Sequence, residues 1–146
     1  MRFAAAILLL ALGACSKEAP MSPDVAQNRE MIRETIKAYH EAADKDEIDL
    51  IKTLMTPDVS LVLSPSEVIR GQELVLRALH TRFKDQKGQS TITGKEMIKP
   101  DGNTALVTYV ASTTQQRGTI TMICSRTKDN KWLISHLHET WSTPSK

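Results

Sequence analysis

Apolar residues recur with a period near 3.6 in the first half of the chain and with a period near two in the second half. After residue 24 they fall at steps of seven, four, three and four, which is the spacing of one face of an α-helix. This predicted face comprises Val25, Ile32, Ile36, Tyr39 and Ala43. The charged turn Asp44-Lys45-Asp46 ends the pattern, and Leu50–Met55 predicts a short second helix. The folded part of the chain is therefore predicted to begin with two helices.

A strand and a third helix separate these two helices from a run of further strands. The apolar segment 59–63 predicts the strand, and 67–70 predicts a brief second one. Gly71 precedes a helix whose predicted inner face is Leu74, Val75, Ala78, Leu79 and Phe83. Alternation with short turns then predicts strands at 91–99, 104–114, 119–127 and 131–141. Consecutive strands with short links pair antiparallel, so the order of elements predicts an α+β domain whose sheet curls around the helices.

The N-terminus carries a different pattern, which is typical of a targeting segment. Met1 and Arg2 precede an unbroken run of ten apolar residues, Phe3–Leu12. A membrane-spanning helix needs about 20 apolar residues, whereas a signal-peptide core needs about 7 to 15. The next residues, Leu12-Gly13-Ala14-Cys15, resemble the bacterial lipobox. The resemblance implies that residues 1–14 are a lipoprotein signal peptide and that Cys15 is acylated and becomes the first residue.

This interpretation divides the chain into three parts and predicts its cellular location. Residues 1–14 are the signal peptide, residues 15–23 a proline-containing lipidated tether, and residues 24–146 the domain. Several acyl chains on one residue suffice for stable membrane attachment. The expected location is the periplasmic side of a bacterial cell envelope, and Ser16 after the cysteine favours the outer over the inner membrane. The alternative is an ordinary secretory signal in which Cys15 is incidental.

Composition narrows the class of protein without giving a reaction. The 146 residues carry 19 Lys and Arg against 17 Asp and Glu, for a net charge of +2, which argues against a nucleic-acid binder. Only Cys15 and Cys124 are cysteines. With Cys15 acylated, Cys124 is a lone thiol in an apolar strand, where it most often serves as a small buried side chain. No cofactor is expected.

Four motifs together resemble the nuclear transport factor 2-like superfamily, which includes the SnoaL-like cyclases and ketosteroid isomerase. They are Ile36-Lys37-Ala38-Tyr39, Thr56-Pro57-Asp58-Val59, Arg70-Gly71-Gln72 and the final Trp132-Leu133-Ile134-Ser135-His136-Leu137-His138. The resemblance covers residues 24–141. It implies a cone-shaped, strongly curved antiparallel sheet wrapped around the N-terminal helices, with a pocket at the wide end. Family members are often dimers, which leaves a homodimer open, and many members are not enzymes.

The catalytic residues of the family match this chain only in part. Tyr39 matches the tyrosine that, in ketosteroid isomerase, donates a hydrogen bond to the developing oxyanion. The carboxylate base expected before the first-strand proline is absent, because Leu63 and Ser64 precede Pro65. No buried acid corresponding to the second isomerase acid or to the cyclase carboxylate stands out. Isomerase activity is therefore disfavoured, and no catalytic residue is assigned. These residues favour a protein that is not an enzyme.

The remaining candidates for a ligand pocket lie on the last strand. Strict alternation places His136 and His138 on one face with Trp132 and Ile134, and Trp141 on the other face, where it is available to a dimer. Tyr39, Trp132, His136 and His138 are the pocket candidates. Two imidazoles on one face suit a metal, but no third ligand is evident, so no metal site is predicted. The alternative is that both histidines serve the sheet alone.

Two hypotheses of function follow. The first is a membrane-anchored, non-catalytic lipoprotein whose pocket binds a small apolar ligand or serves assembly. The second is a SnoaL-like or isomerase-like enzyme that acts on a small apolar molecule through Tyr39 and a histidine such as His136.

Replacing Cys15 by Ser tests the predicted address. The variant lacks the thiol that would accept the lipid, so we expect it in the soluble fraction after cell lysis, with the wild-type chain in the membrane fraction. Immunoblots of the two fractions measure this. Membrane association of the Cys15→Ser chain equal to that of wild type would contradict the lipoprotein interpretation.

Overall fold

The computed structural model describes residues 23–64, 67–85 and 90–142. The predicted signal peptide, the lipidation site Cys15 and residues 15–22 of the tether lie outside the described residues. Three helices and six strands are described. They are α1 (Pro23–Asp44), α2 (Ile48–Thr53), β1 (Met55–Ser64), β2 (Glu67–Arg70), α3 (Gln72–Asp85), β3 (Thr91–Asp101), β4 (Thr104–Ser112), β5 (Arg117–Arg126) and β6 (Trp132–Ser142).

Helix α1 forms where the 3.6-residue pattern predicted it. Asp24 lies in its first turn, where a carboxylate interacts favourably with the helix dipole. Ile32, Ile36 and Tyr39 are buried. The helix ends at the predicted charged turn, where Asp46 adopts the left-handed conformation with φ of 56°. The side of α1 that carries these residues faces the sheet.

The six strands form one sheet in the order β2-β1-β6-β5-β4-β3. The pairs β3–β4, β4–β5 and β5–β6 are antiparallel, as their short connections predicted. Strand β1 is parallel to β6, and the chain passes through β2, α3 and the strands β3 to β5 between them. Three helices and one six-stranded sheet confirm the predicted α+β class.

The boundary between α2 and β1 differs from the prediction. The periodicity extends the second helix to Met55, whereas the structure ends α2 at Thr53 and begins β1 at Met55. Met55 lies opposite Ile134 in the parallel pair, and the Ile134 amide donates to the Leu54 carbonyl at 2.8 Å. Pairing with β6 therefore overrides the local helical preference of this segment.

A bulge in β6 reverses the predicted orientation of its second half. Cys124 pairs with Ile134 and the preceding residue Ile123 pairs with His136, so Ser135 is the extra residue. One inserted residue moves every later side chain to the other face of the sheet. Leu137 and Glu139 are consequently buried with the core. The prediction that His136 and His138 share a face with Trp132 and Ile134 is wrong for this reason.

One residue of α3 that was predicted to belong to the core is exposed to solvent. Leu74, predicted to point inward from α3, is 53% exposed, while its neighbours Val75 and Leu79 are fully buried. Among the described residues, no helix combines the length and apolar character needed to cross a membrane.

The core position of Cys124 generates a prediction about its reactivity. The side chain is fully buried in β5, and burial raises the pKa of the thiol to about 12. The thiolate is the nucleophile, so we expect the folded protein to be inert toward a disulfide reagent at mildly alkaline pH and to react once denatured. A Cys15→Ser background leaves Cys124 as the only cysteine for this titration. Rapid reaction of the folded chain would contradict the buried placement.

Candidate functional site

A cavity of about 90 Å³ lies between the C-terminal end of α1, the end of α3 and the inner face of β5 and β6. Its walls combine aromatic and aliphatic side chains with several polar ones. They are Tyr39, His40, Ala43, Asp44, Asp46, Arg82, Phe83, Ser90, Ile120, Glu139 and Trp141. The space exceeds the roughly 10–15 Å³ that one water molecule needs, so it can hold several waters or a small group of a ligand.

Glu139 is the buried acid of this cavity, with a side chain only 1% exposed. Its Oε1 accepts a hydrogen bond from Tyr39 Oη at 3.4 Å, and its Oε2 accepts one from Trp141 Nε1 at 2.7 Å. Arg82 Nη1 forms an ion pair with the same Oε2. Both carboxylate oxygens therefore have donors, which is the condition under which a buried charge is tolerated.

Arg82 is held by aromatic rings as well as by its counter-ion. Its guanidinium carbon lies 5.6 Å from the ring centroid of Trp141 and 5.7 Å from that of Phe83, within cation–π range. The Trp141 ring is itself positioned by Gly118 of β5. A Cβ added at Gly118 would lie 2.6 Å from Trp141 Cδ2, so the absence of a side chain there makes room for the indole.

A second series of hydrogen bonds connects buried Tyr109 to exposed Asp44 through His40 and Ser90. His40 Nε2 is 2.7 Å from Tyr109 Oη, and His40 Nδ1 is 2.9 Å from Ser90 Oγ. Ser90 in turn lies on Asp44, whose Oδ1 accepts from the Ser90 amide at 3.0 Å and from Ser90 Oγ at 3.5 Å. The Asp44 carboxylate can only accept hydrogen bonds. Every bond in this series therefore has one donor and one acceptor when Tyr109 donates to His40 Nε2 and His40 Nδ1–H donates to Ser90 Oγ.

Burial sets the protonation of these groups. Desolvation raises the pKa of Tyr39 well above its ordinary value, and the nearby charge of Glu139 raises it further, so Tyr39 keeps its proton and donates. Desolvation likewise raises the pKa of Tyr109. For His40 desolvation lowers the pKa, which favours the neutral imidazole. Tyr39, Tyr109 and His40 are therefore neutral hydrogen-bonding groups close to the Arg82–Glu139 ion pair.

The structure separates the four residues predicted to line a pocket. Tyr39 lines the cavity. Trp132 instead lines a groove of about 400 Å³ between α1 and the start of β6, and its buried Nε1 finds no hydrogen-bond partner among the described residues. His136 lies on the outer face of the sheet, where its Nδ1 is 2.8 Å from Ser60 Oγ. His138, two residues on, is exposed on the same outer face.

Four cavity residues were not found from the sequence, namely His40, Arg82, Glu139 and Trp141. The expectation that no buried acid stands out is wrong, because the bulge at Ser135 turns Glu139 inward. Trp141, expected on the outer face, turns inward with it and lines the cavity. A signal for His40 was present, since it lies four residues after buried Ile36 on the same helix.

The acid and the imidazole of the wall are already hydrogen-bonded to other protein groups, whereas the buried Nε of Arg82 has no hydrogen-bond partner among the described residues. Both oxygens of Glu139 and both ring nitrogens of His40 have partners. No group of three His, Cys, Asp or Glu side chains suited to a metal occurs in the part of the chain that the structure describes.

The fold and its cavity define a nuclear transport factor 2-like domain. A family model described as the SnoaL-like domain matches residues 24–141, and the chain belongs to this family. No curated protein matches the chain.

Solved structures show the same fold at low sequence identity. A nuclear transport factor 2-like superfamily protein from Salmonella enterica is 20% identical with a TM-score of 0.67, over 83% of this chain and 94% of its own. A candidate dehydratase of the NTF2-like family from Streptomyces avermitilis is 20% identical with a TM-score of 0.68, over 78% and 95%. An uncharacterized protein with a cystatin-like fold from Caulobacter vibrioides is 16% identical with a TM-score of 0.72, over 81% and 92%.

The lowered pKa of His40 predicts how stability depends on pH. The unfolded chain takes up a proton near the ordinary value of 6.5, whereas the folded chain resists it. Below that pH the unfolded state binds more protons, so the free energy of unfolding decreases as the pH falls. The pKa of His136 is also lowered, by burial and then by His138, which adds a slope of the same sign.

Urea denaturation at a series of pH values measures this slope. We expect His40→Gln to flatten this slope relative to wild type, because the variant lacks the imidazole whose pKa burial lowers. An identical pH profile for His40→Gln and wild type would contradict the assignment of a neutral buried imidazole.

Proposed function

We propose that this chain is a lipid-anchored envelope protein whose SnoaL-like domain binds a small ligand without transforming it. The ligand would have a compact apolar body and one polar group. The anchor rests on the lipobox-like segment ending in Cys15, and the binding role rests on the cavity beside Tyr39.

The observation that supports binding best is the prearranged polar wall of the cavity. Ligand sites are concave, mostly apolar and equipped with a few fixed polar groups. Here Phe83, Ile120 and Trp141 supply apolar contact, while Arg82 and Glu139 supply fixed polarity. Because the ion pair and its donors are already in place, a ligand would not have to organise them on binding. The volume of about 90 Å³ restricts the ligand to a small molecule or a small part of one.

The engaged state of the acids and bases supports a role without catalysis. A general base needs a free lone pair within hydrogen-bond reach of the proton that it abstracts. Glu139 is charge-paired to Arg82 and receives Tyr39 and Trp141, and His40 is held between Tyr109 and Ser90. The carboxylate base expected at positions 63 and 64 is absent from the sequence.

An acid–base enzyme is the second candidate, and one observation favours it. Tyr39 and the carboxylate of Glu139 lie together in one buried cavity, so a hydrogen-bond donor and an acid share the site. In this alternative Glu139 or His40 acts as the acid or base, a role that the sequence suggested for His136. One structural relative is a candidate dehydratase. A ligand able to displace Arg82 from Glu139 would be required to free the base.

Filling the cavity tests the proposal. Ala43 lines the cavity and Ala38 lines the separate groove at Trp132; both are half-buried residues of α1. We expect native mass spectrometry of the protein isolated from its own envelope to show a retained small molecule on wild type and on Ala38→Phe. Ala43→Phe, whose ring occupies the cavity, should lack it.

Two results would contradict the proposal. The first is an equal amount of the retained molecule on Ala43→Phe and Ala38→Phe. The second is conversion of the bound molecule on incubation with wild type but not with Glu139→Gln, which would support the enzyme instead. Circular dichroism spectra of the variants confirm that each is folded.

A further inference from the structure

The outer face of the sheet carries two central rows of side chains, one on each side of the midpoint of the strands. Strand pairing aligns the first row as Lys99, Leu106, Ile123, His136, Ser60 and Arg70. It aligns the second row as Met97, Thr108, Thr121, His138, Val62 and Val68. Neither row contains a carboxylate. Because β6 is the third of six strands, both histidines lie near the middle of the face.

The imidazoles of His136 and His138 are placed to bind one metal ion together. Residues two apart on a strand point to the same face with their Cα atoms roughly 7 Å apart, so the two rings can converge. Burial and then the nearby His138 lower the pKa of His136, which favours the neutral ring that a metal requires. Imidazole suits Zn²⁺, Cu²⁺ and Ni²⁺, whereas Mg²⁺ and Ca²⁺ prefer oxygen ligands.

Ser60 of β1 orients one of these two rings. Its Oγ lies 2.8 Å from His136 Nδ1. When Nδ1–H donates to this oxygen, the lone pair of the ring is on Nε2, which is free to bind a metal. Metal-binding histidines usually donate their other ring N–H to a neighbouring acceptor, which fixes the tautomer and the orientation of the ring. Ser60 is such an acceptor for His136.

Two imidazoles are half of a zinc site. Structural Zn²⁺ is almost always bound by four ligands in a tetrahedron, and among the described residues no third His, Cys, Asp or Glu joins the pair. A symmetric contact between two copies of a chain brings residues near the two-fold axis against their own images. Since His136 and His138 lie near the middle of the face, a second copy on this face would supply the two missing imidazoles.

The side chains around the histidines are those of a protein contact. Antiparallel sheets commonly carry polar residues on the face away from the core, but this face carries three large apolar side chains in contact with solvent. They are Leu106, Ile123 and Met97, with exposures of 41%, 38% and 41%. Lys99 and Arg70 lie at the two ends of the row that contains His136. An apolar centre with a polar rim is the usual composition of an interface.

We propose that one Zn²⁺ ion joins two copies of this chain through the outer face of the sheet. His136 and His138 of both copies are the four ligands, and the apolar side chains of the two central rows pack around them. The second copy is the occupant that completes the coordination and covers these side chains at the same time. The site is on the opposite face of the sheet from the cavity beside Tyr39, so it does not depend on the ligand proposed there.

Native mass spectrometry of the purified full chain counts protein chains and zinc ions in one measurement. The protein is stripped with EDTA and then given Zn²⁺ or, as a control, Mg²⁺. We expect a monomer without metal and with Mg²⁺, and a dimer holding one ion per two chains with Zn²⁺. His138→Gln changes an exposed side chain and should abolish this dimer. The matched control His80→Gln, at a half-exposed histidine of α3, should retain it.

A second pair of variants tests the apolar contact without touching a ligand. Ile123→Gln should weaken the zinc-linked dimer by about tenfold or more in analytical ultracentrifugation, because each copy loses one large apolar side chain from the contact. Leu50→Gln is the control, since Leu50 of α2 is similarly exposed, at 43%, and lies outside the sheet. Its dimer should match that of wild type.

Three results would overturn the proposal. One is a monomer that binds Zn²⁺ with water as the remaining ligands. Another is a dimer that persists in EDTA, and the third is a zinc-dependent dimer that is unchanged in His138→Gln. None of these results bears on the molecule retained in the cavity, which Ala43→Phe tests separately.

Discussion

The buried charge of Glu139 is the constraint on which the interior of this domain depends. A carboxylate removed from water needs a counter-ion and donors, and the chain supplies them from three separate elements. Arg82 comes from α3, Tyr39 from α1 and Trp141 from the same strand as the acid. Removing one partner of a buried ion pair typically costs about 3 to 5 kcal/mol, because the remaining charge is left buried without a counter-ion.

A single extra residue in β6 makes this arrangement possible. Without the bulge at Ser135, regular alternation would turn Glu139 and Trp141 to the outer face and bring His136 and His138 inside. The interior would then hold two imidazoles in place of a carboxylate and an indole, and Arg82 would lose its counter-ion. The chemistry of the cavity is thus decided by the register of one strand, while the fold is shared with the solved structures described above.

The sequence predicts the elements of this fold better than it predicts the site. Helical spacing located α1 and identified Tyr39, and alternation located the last four strands, because these signals are local. The bulge at Ser135 and the parallel pairing of β1 with β6 depend on contacts between distant segments, and periodicity does not report them. Because periodicity assigned the second half of β6 to the wrong faces of the sheet, it gave His136 as a pocket candidate instead of Glu139. The exposure of Leu74 was not predicted for a similar reason, since apolar character alone does not distinguish a buried side chain from an exposed one.

Gly118 and Trp141 illustrate how the size of the cavity is set from outside its polar cluster. They face each other across β5 and β6, and even a methyl group at position 118 would collide with the indole ring. The two positions are therefore free to vary only as a pair, with a larger residue on β5 accompanied by a smaller one on β6. Such a paired exchange would remove the aromatic ring that covers Arg82 and the indole N–H that donates to Glu139, and would therefore change both the shape and the polarity of the cavity. Divergence of ligand preference among related domains can follow this route, with two compensating substitutions and no change of backbone.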